Sequence, residues 1–265
     1  MSPLPSLEGA NILVTGASSG IGAALAEMLA SKGANVGIVA RRADRLADTL
    51  HACLAHGEGH RMWTVDLADP EAARDVVLRA WDTFGHLDAV VNNAARPMRR
   101  SVTRLTLADV EDVMRTNFLS PTALTLAVLP RMIERDAGIV VNVASIGGRM
   151  GIGNEAAYNA SKFALTGWSE AMQMDLWHTG VEVRLIHPGA VATEIWDQPG
   201  NDPAPYDGPF EPAEDTASAI CDALLGTAFE TYPPDMKGII EFKTAEIDVF
   251  MAGAVEFIDS KQAAR

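Results

Sequence analysis

Cysteine is nearly absent from this chain of 265 residues. Its two cysteines, Cys53 and Cys221, lie far apart, and neither has a cysteine or histidine neighbour at metal-ligand spacing. This scarcity argues against a disulfide framework and against a structural zinc site. We therefore predict a protein that holds no metal.

Long apolar runs are also missing. No stretch approaches the roughly 20 apolar residues that a membrane-spanning helix needs. Residues 1–9 lack the basic start and apolar run that mark a signal peptide. We therefore expect a cytoplasmic location and no membrane partner.

Positive charge is scarce in the second half of the chain. The formal net charge is −14; residues 1–150 hold 15 Lys and Arg against 16 Asp and Glu, whereas residues 151–265 hold 6 against 19. An acidic surface repels nucleic acid phosphates and anionic lipid, so we predict no nucleic acid partner. The nearly neutral first half suits a region that receives an anionic cofactor.

What the chain does contain is an alternation of apolar runs and helical patterns, which indicates βαβ units and a parallel sheet. The predicted strands are 11–14, 35–39, 61–65, 87–92, 139–143, 181–186 and 237–243. The predicted helices are 23–31, 43–55, 70–84, 107–135 and 214–229. A further predicted helix carries Tyr158 and ends near His178. We predict one α/β domain over residues 1–265, with a doubly wound sheet of about seven strands. Five prolines within 194–212 predict a long substrate loop.

A glycine-rich turn joins the first predicted strand to the first helix. It reads TGASSGIG over residues 15–22, with the spacing G-x-x-x-G-x-G. Such a turn lets the backbone approach a pyrophosphate, and the helix N-terminus supplies amide donors and a partial positive charge. Glycines also permit tight packing alone, but this position after an N-terminal strand favours dinucleotide binding.

Tyr158 and Lys162 stand one helical turn apart, so their side chains share a face. A phenol that works near pH ~7.5 needs its pKa lowered by roughly 2.5 units, or about 3.4 kcal/mol. One ammonium group ~5 Å away supplies roughly 3.3 kcal/mol at an effective dielectric constant of ~20. The pair therefore predicts a proton donor and acceptor, although any helix can hold a Tyr and a Lys at this spacing.

Five motifs follow in order along the chain: TGASSGIG, Asn92-Asn93-Ala94-Ala95, Ser145, Tyr158-x-x-x-Lys162 and PGAVAT over residues 188–193. Together they resemble the short-chain dehydrogenase/reductase family, in its single-domain branch, over residues 10–195. The resemblance implies a Rossmann fold and the catalytic set Asn117, Ser145, Tyr158 and Lys162. It also implies cofactor contacts from Gly16, Ser18, Ser19, Gly20, Ile21, Gly22, Arg41, Arg42, Asp66, Leu67, Asn93, Ala94, Tyr158, Lys162, Pro188, Gly189, Val191 and Thr193.

The residues after the second predicted strand indicate which dinucleotide binds. An acidic residue there would accept hydrogen bonds from a ribose and repel a 2′-phosphate, but this chain has Arg41 and Arg42. Guanidinium groups bind phosphate bidentately and stack on flat rings. We predict NADP as the cofactor, with Arg41 as the main phosphate ligand and Arg42 beside the adenine. The alternative is a solvated arginine pair that begins a helix.

Several predicted contacts have a structural alternative. By resemblance Asp66 contacts the adenine amino group, but it could instead form a turn before Pro70. Asn93 could mainly hold neighbouring strands together, and Ala95 departs from the glycine that the family has there. The resemblance assigns the Val191 amide and the Thr193 hydroxyl to the nicotinamide carboxamide.

Asn117 lies four residues before Pro121 in the predicted helix 107–135. Because Pro121 has no N–H, the Asn117 carbonyl loses its helical hydrogen bond. The resemblance implies that this carbonyl holds a water in a proton relay from Lys162, whereas a proline that only curves the helix is the simpler alternative. Ser145 follows the fifth strand, where its hydroxyl could steady a developing alkoxide or serve only as a turn residue.

Other residues are weaker candidates. Arg96, Arg99, Arg100 and Arg104 form a basic cluster that could attract an anionic substrate, but such runs are more often solvated surface. We expect His187 to be a buried packing residue. Met150 and Trp196 flank the expected substrate cleft, which segments 96–104, 146–154 and 194–212 would form.

The predicted reaction is reversible, NADP(H)-dependent interconversion of a carbonyl and a secondary alcohol in a small-molecule substrate. Tyr158 is the general acid and base, Ser145 steadies the developing charge, and Lys162 tunes Tyr158 and binds the nicotinamide ribose. The alternative is a non-catalytic NADP(H)-binding sensor or scaffold protein. The resemblance implies a homo-oligomer, either a tetramer or a dimer, although the tail 231–265 lacks the family's usual closing segment.

Overall fold

Parallel strands form one sheet at the centre of the molecule. A computed structural model describes residues 4–204 and 206–263, and in these ranges the strands are β1 (Asn11–Thr15), β2 (Asn35–Ala40), β3 (Arg61–Thr64), β4 (Ala89–Asn92), β5 (Gly138–Val143), β6 (Val181–Ile186) and β7 (Glu230–Thr231). Their order across the sheet is β3-β2-β1-β4-β5-β6-β7. Because the order in which strands are added to the sheet reverses between β1 and β4, a crevice opens at the carboxyl ends of these strands.

Helices cover both faces of the sheet. They are α1 (Gly20–Ser31), α2 (Ala43–Leu54), α3 (Pro70–Phe84), α4 (Leu107–Met114), α5 (Ser120–Arg135), α6 (Ala156–Asp175), α7 (Ala213–Leu225), α8 (Lys237–Ala245) and α9 (Ile247–Ala263). One apolar core lies under α1, α2 and α7, and a second lies under α3, α5 and α6. Successive strand residues enter opposite cores: Ile12 and Val14 enter the first, and Leu13 enters the second. The predicted doubly wound α/β domain is confirmed.

None of the helices in the described ranges combines the length and the apolar composition needed to cross a bilayer.

The predicted last strand, 237–243, is wrong. These residues form α8, and the sheet ends instead with β7, which pairs with β6. Pro233 follows β7 and cannot donate a hydrogen bond to a sheet, so the strand stays short. Ile239 and Phe242 stand three residues apart and share one side of a helix, and so short an apolar run does not distinguish a strand from a helix.

The predicted helix 214–229 ends earlier, at Leu225. The buried Arg184 guanidinium donates to the Gly226 carbonyl over 2.8 Å and so satisfies a backbone group at the end of α7. The Phe229 carbonyl already accepts a backbone hydrogen bond from β6. The chain after Leu225 therefore belongs to the approach to β7.

The predicted helix 107–135 is interrupted. A π-helical turn, Arg115–Leu119, separates α4 from α5 and contains Asn117. Pro121 follows within two residues and cannot form the α-helical hydrogen bond to the Asn117 carbonyl. The disturbance predicted from the Asn117–Pro121 spacing is therefore present as a π-helical turn.

Candidate active site at the carboxyl edge of the sheet

The predicted site residues gather at the carboxyl ends of the central strands. The glycine-rich turn follows β1, Asn93 follows β4, Ser145 follows β5, and Pro188 follows β6. Ligands of open α/β sheets bind at this edge, where the strand order reverses. The fold thus brings together segments that are widely separated in sequence.

The glycines of the turn allow three segments to approach one another. A Cβ on Gly22 would lie 2.4 Å from the Gly16 carbonyl oxygen, and one on Gly16 would lie 2.7 Å from the Ala94 Cα. A Cβ on Gly20 would lie 2.8 Å from Cγ2 of Thr193. Only glycine fits at these positions without displacing backbone or the loop after β6.

A cleft of about 510 Å³ opens beside the turn. It is lined by Ser18, Ser19, Gly20, Ala23, Arg45, Asp48, Thr49, Ala192, Thr193 and Glu194. Ser19 precedes α1 but makes no capping hydrogen bond with its side chain. Hydroxyl groups, the N-terminus of a twelve-residue helix and nearby arginines suit the pyrophosphate of a dinucleotide.

Arg42 forms hydrogen bonds and an ion pair with residues that line this cleft. Its Nη2 donates to Oγ of Ser19 over 2.7 Å and to Oγ of Ser18 over 3.1 Å, and its Nη1 lies 2.7 Å from Oε2 of Glu194. Nη1 of Arg45 lies 3.6 Å from the other oxygen of Glu194. Sequence reasoning missed Arg45 and Glu194, because only the fold places the loop after β6 beside α2.

Arg41 and Asp66 stand further out. The Arg41 side chain is 66% exposed, and its Nη1 is 4.0 Å from Oδ2 of Asp66. Oδ1 of Asp66 accepts a 3.0 Å hydrogen bond from the Ala68 amide, so Asp66 makes the turn that was its alternative role. Leu67 is buried beside it. The predicted contacts of Arg41 with the 2′-phosphate, of Asp66 with the adenine and of Leu67 with the cofactor remain predictions.

Asn93 holds β1 and β4 together, as its structural alternative proposed. Its Nδ2 donates to the Thr15 carbonyl over 2.9 Å, and its own amide donates to Oγ1 of Thr15 over 3.0 Å. The Ala94 amide donates to the same hydroxyl over 3.1 Å. Thr15, the first residue of the turn motif, is therefore the hub of this junction.

The loop after β6 packs beside Ser145. The Pro188 carbonyl accepts a 2.9 Å hydrogen bond from the Ile146 amide, and the Gly189 amide donates to the Pro233 carbonyl over 3.0 Å. Nε1 of Trp196 donates to the Val191 carbonyl over 2.7 Å. These bonds fix the predicted nicotinamide loop from both sides.

Ser145, Tyr158 and Lys162 come together at the end of β5. The Ser145 side chain lies close enough to Tyr158 to lower the pKa of its phenol, and Oγ of Ser145 accepts a 3.1 Å bond from the Gly147 amide. Nζ of Lys162 donates to the Val143 carbonyl over 2.8 Å and lies 5.8 Å from the centre of the Tyr158 ring. The three predicted side chains thus form one cluster.

Burial, however, acts on Tyr158 in the opposite direction to the prediction. Burial, followed by the charge of Glu155, raises the pKa of Tyr158, whereas the Ser145 side chain and Arg99 lower it. Burial also lowers the pKa of Lys162 to about 7. Burial therefore disfavours the ammonium form of Lys162, which opposes the effect expected from the sequence.

Asn117 reaches α6 with its side chain. Nδ2 donates to Oγ of Ser161 over 3.0 Å and to the Arg96 carbonyl over 2.9 Å, while Oδ1 accepts from the Arg96 amide over 2.7 Å. Ser161 in turn donates to the Tyr158 carbonyl over 2.6 Å. Asn117 therefore ties the segment after β4 to the catalytic helix; its role in a water relay remains a prediction.

The basic cluster does not present free positive charge. Three of its arginines pair with acids: Arg96 with Asp112, Arg100 with Asp109, and Arg104 with Asp202. The fourth, Arg99, is buried and donates to the carbonyls of Ile195, Trp196 and Asp202. Arg99 thus anchors the predicted substrate loop, and its guanidinium lies 5.3 Å from the centre of the Trp196 ring.

A second group of charges lies beneath Ser145. His187 is buried, as expected, and stacks on Tyr232, but its Nδ1 also lies 2.8 Å from the Ser145 carbonyl and its Nε2 lies 2.9 Å from Oε1 of Glu230. Nε of Arg149 donates to the same carboxylate oxygen over 2.8 Å. No sequence motif marked Glu230, because it reaches the site only through the pairing of β7 with β6.

Comparison with known proteins agrees with this geometry. The family model described as short chain dehydrogenase matches residues 10–203. The ketoacyl reductase HetN of Nostoc sp. is 34% identical over 189 residues, which cover 71% of this chain and 66% of HetN. The chain thus spans slightly less than two thirds of that relative.

Two solved structures extend the comparison over nearly the whole chain. A short-chain dehydrogenase of Burkholderia cenocepacia in complex with NADP is 25% identical, has a TM-score of 0.80, and covers 94% of this chain and 98% of its own. A Burkholderia phymatum structure in complex with NAD has a TM-score of 0.84 at 23% identity, covers 93% and 96%, and supports the fold alone. This chain belongs to the short-chain dehydrogenase family.

Proposed function

We propose that the protein interconverts a ketone and a secondary alcohol with NADP(H) as its cofactor. The observation that carries the proposal is the cluster at the end of β5, where the Ser145 side chain lowers the pKa of the Tyr158 phenol and the Tyr158 ring centre lies 5.8 Å from Nζ of Lys162. A proton donor, a second hydroxyl and a cation in one place suit the reduction of a carbonyl. The bound dinucleotide supplies or removes the hydride.

The residues divide the remaining work. Tyr158 gives its proton to the carbonyl oxygen or takes one from the alcohol, and Ser145 donates a hydrogen bond to the same oxygen. Lys162 supports the tyrosinate by its charge and holds the nicotinamide ribose. Asn117 keeps α6 in register with the segment after β4 through Ser161, and its main-chain carbonyl is the proposed water site of the proton relay.

The preference for NADP(H) is supported by the arginines at the glycine-rich turn. Arg42 already lies on the hydroxyls of Ser18 and Ser19, and Arg41 extends from the end of β2 with most of its side chain exposed. Both can approach a 2′-phosphate. Titration with NADPH and NADH should show tighter binding of NADPH, and Arg41→Asp with Arg42→Asp should remove that preference. Equal binding by the parent protein would contradict it.

We also propose a homo-oligomer. Apolar side chains are exposed on α5, on α6 and just after it: Leu126 and Ile133 on α5, Met174 on α6, and Trp177, 72% exposed, in the turn that follows α6. Exposed apolar side chains of this kind are typical of an interface between subunits. Light scattering at micromolar concentration should give a dimer or a tetramer; a monomer would contradict the proposal.

The decisive experiment is a panel of ketones with NADPH, followed by the loss of nicotinamide absorbance. Tyr158→Phe should reduce turnover at least ~100-fold and leave NADPH binding nearly unchanged, because the ring is retained and only the proton donor is lost. Retained activity in Tyr158→Phe would refute the catalytic role. Binding of NADPH without turnover of any ketone would favour a non-catalytic binding protein.

A further inference from the structure

Glu155 is a buried carboxyl group next to the proposed proton donor. It is the residue immediately before α6, three positions before Tyr158, and only 6% of it is exposed. Residues three apart at the start of a helix lie on one side of it. The charge of Glu155 raises the pKa of Tyr158, and the charge of Arg99 lowers the pKa of Glu155.

This carboxyl group has no hydrogen-bond donor of its own within residues 4–204 and 206–260. It does not cap α6 with its side chain. Arg99 attracts it electrostatically, but the Arg99 hydrogen bonds go to the carbonyls of the substrate loop. Glu230 provides the contrast, because its carboxylate accepts from Arg149. Burying a carboxyl group without a donor opposes folding, and burial raises the pKa of Glu155 to about 7.

The surrounding charges narrow the class of partner. A cation would be attracted by Glu155 but repelled by the buried guanidinium of Arg99. An anion would be attracted by Arg99 but repelled by Glu155. A neutral hydroxyl group can donate to the carboxyl oxygen whether Arg99 is near or not.

We propose that Glu155 accepts a hydrogen bond from a substrate hydroxyl group close to the reacting carbon, so that the protein acts on hydroxyketones and the corresponding diols. The inference rests on the proposed carbonyl–alcohol chemistry and adds its substrate class. Glu155 and Tyr158 are one helical turn apart, roughly 5–6 Å between Cβ atoms. At this spacing one small substrate can reach both side chains.

The test uses pairs of ketones that differ by one hydroxyl group, beginning with 3-hydroxybutan-2-one and butan-2-one and extending to cyclic pairs. The parent protein should favour the hydroxyketone by roughly tenfold or more in kcat/KM, as a hydrogen bond to a charged group implies. Glu155→Leu should lose most of this preference and Glu155→Gln part of it. The readout is the ratio of the two activities, because removing the charge of Glu155 also changes the pKa of Tyr158 and so alters the activity with both ketones.

A stability measurement separates this role from a merely structural one. Since the carboxyl group is buried without a donor, Glu155→Leu and Glu155→Gln should raise the melting temperature at pH 8. Glu111→Gln, an exposed change of the same charge on α4, serves as the control and should alter neither property.

The outcomes distinguish this inference from the proposed function. If Tyr158-dependent reduction occurs but the parent shows no preference for hydroxyketones, or the variants keep it, the inference is overturned and the function stands. If both variants melt earlier and lose both activities equally, Glu155 is structural and the inference is again overturned. If no ketone in the panel is reduced, the proposed function fails and this inference fails with it.

Discussion

Replacing Glu230 by Gln should destabilise the protein and flatten its response to acid. Burial alone would raise the pKa of Glu230, but the nearby His187 imidazole, the hydrogen bonds from Arg149 and the charge of Arg149 lower it to about 2. The ordinary value is 4.5, so the difference of about 2.5 units corresponds to about 3 kcal/mol of unfolding free energy at ~1.36 kcal/mol per unit. Gln can still accept one hydrogen bond, so this figure is an upper limit.

The sign follows from the direction of the shift. Because the pKa of Glu230 is lower in the folded protein, the carboxylate stabilises the fold fully above about pH 4.5, the ordinary value. That stabilisation is lost progressively as the pH falls to about 2. Glu230→Gln should therefore lose stability at pH 7 and should lack this component of acid unfolding.

Urea unfolding followed by tryptophan fluorescence, at intervals from pH 3 to pH 7, measures both effects. The same variant should lower kcat, because Glu230 supports His187 and His187 Nδ1 lies 2.8 Å from the Ser145 carbonyl. Glu111→Gln, exposed on α4, controls for the change in net charge. A Glu230→Gln protein within 1 kcal/mol of the parent at pH 7, with the same pH dependence, would refute the reasoning.

Two further substitutions test the site from other sides. Gly22→Ala places a methyl group 2.4 Å from a backbone carbonyl, so it should cost roughly 1–3 kcal/mol of stability and abolish NADPH binding in a fluorescence titration, whereas Gly167→Ala, in open space, should do neither. Lys162→Met should abolish turnover. It should nevertheless stabilise the protein against urea at pH 6 by up to about 5 kcal/mol, since burial lowers the pKa of Lys162 from 10.5 to about 7 and the charged form of the lysine therefore opposes folding. A less stable Lys162→Met protein would contradict the second expectation.

The strands and the site residues after them were readable from the sequence because both depend on local patterns. Central parallel strands are buried on both faces, so β1 contains the apolar run 12–14 and β4 the apolar run 89–91. The glycine-rich turn and the Tyr-x-x-x-Lys spacing are also local. Their meeting at one edge follows from parallel topology alone.

The tail was not readable in the same way. The run 237–243 fits the pattern of a strand, but the two residues of β7 occupy the position beside β6. A segment of two polar residues is too short to show the pattern of a strand. The role of Glu230 could not be predicted from the sequence either, because it depends on which strand forms the edge of the sheet.

Electrostatic behaviour was the least predictable property. The sequence puts Lys162 one turn from Tyr158, but it does not reveal that both are buried, and burial decides the pKa shift of each. The Arg42–Glu194 pair was equally hidden, since its partners are 152 positions apart. Sequence spacing predicts proximity along a helix, whereas desolvation depends on everything packed around it.

Helix α6 and the residue before it therefore carry three ionisable groups on which burial acts in a common direction, toward the uncharged form. Burial raises the pKa of Glu155 and of Tyr158 and lowers that of Lys162. A protonated Tyr158 is the form that carbonyl reduction requires, whereas alcohol oxidation requires its phenolate. Any negative charge on Glu155 disfavours that phenolate further, and a hydroxyl that donates to Glu155 favours its charged form and so strengthens this effect. The electrostatics of the site thus favour reduction near neutral pH and make a hydroxyl group on the substrate a partner in setting the proton affinity of Tyr158.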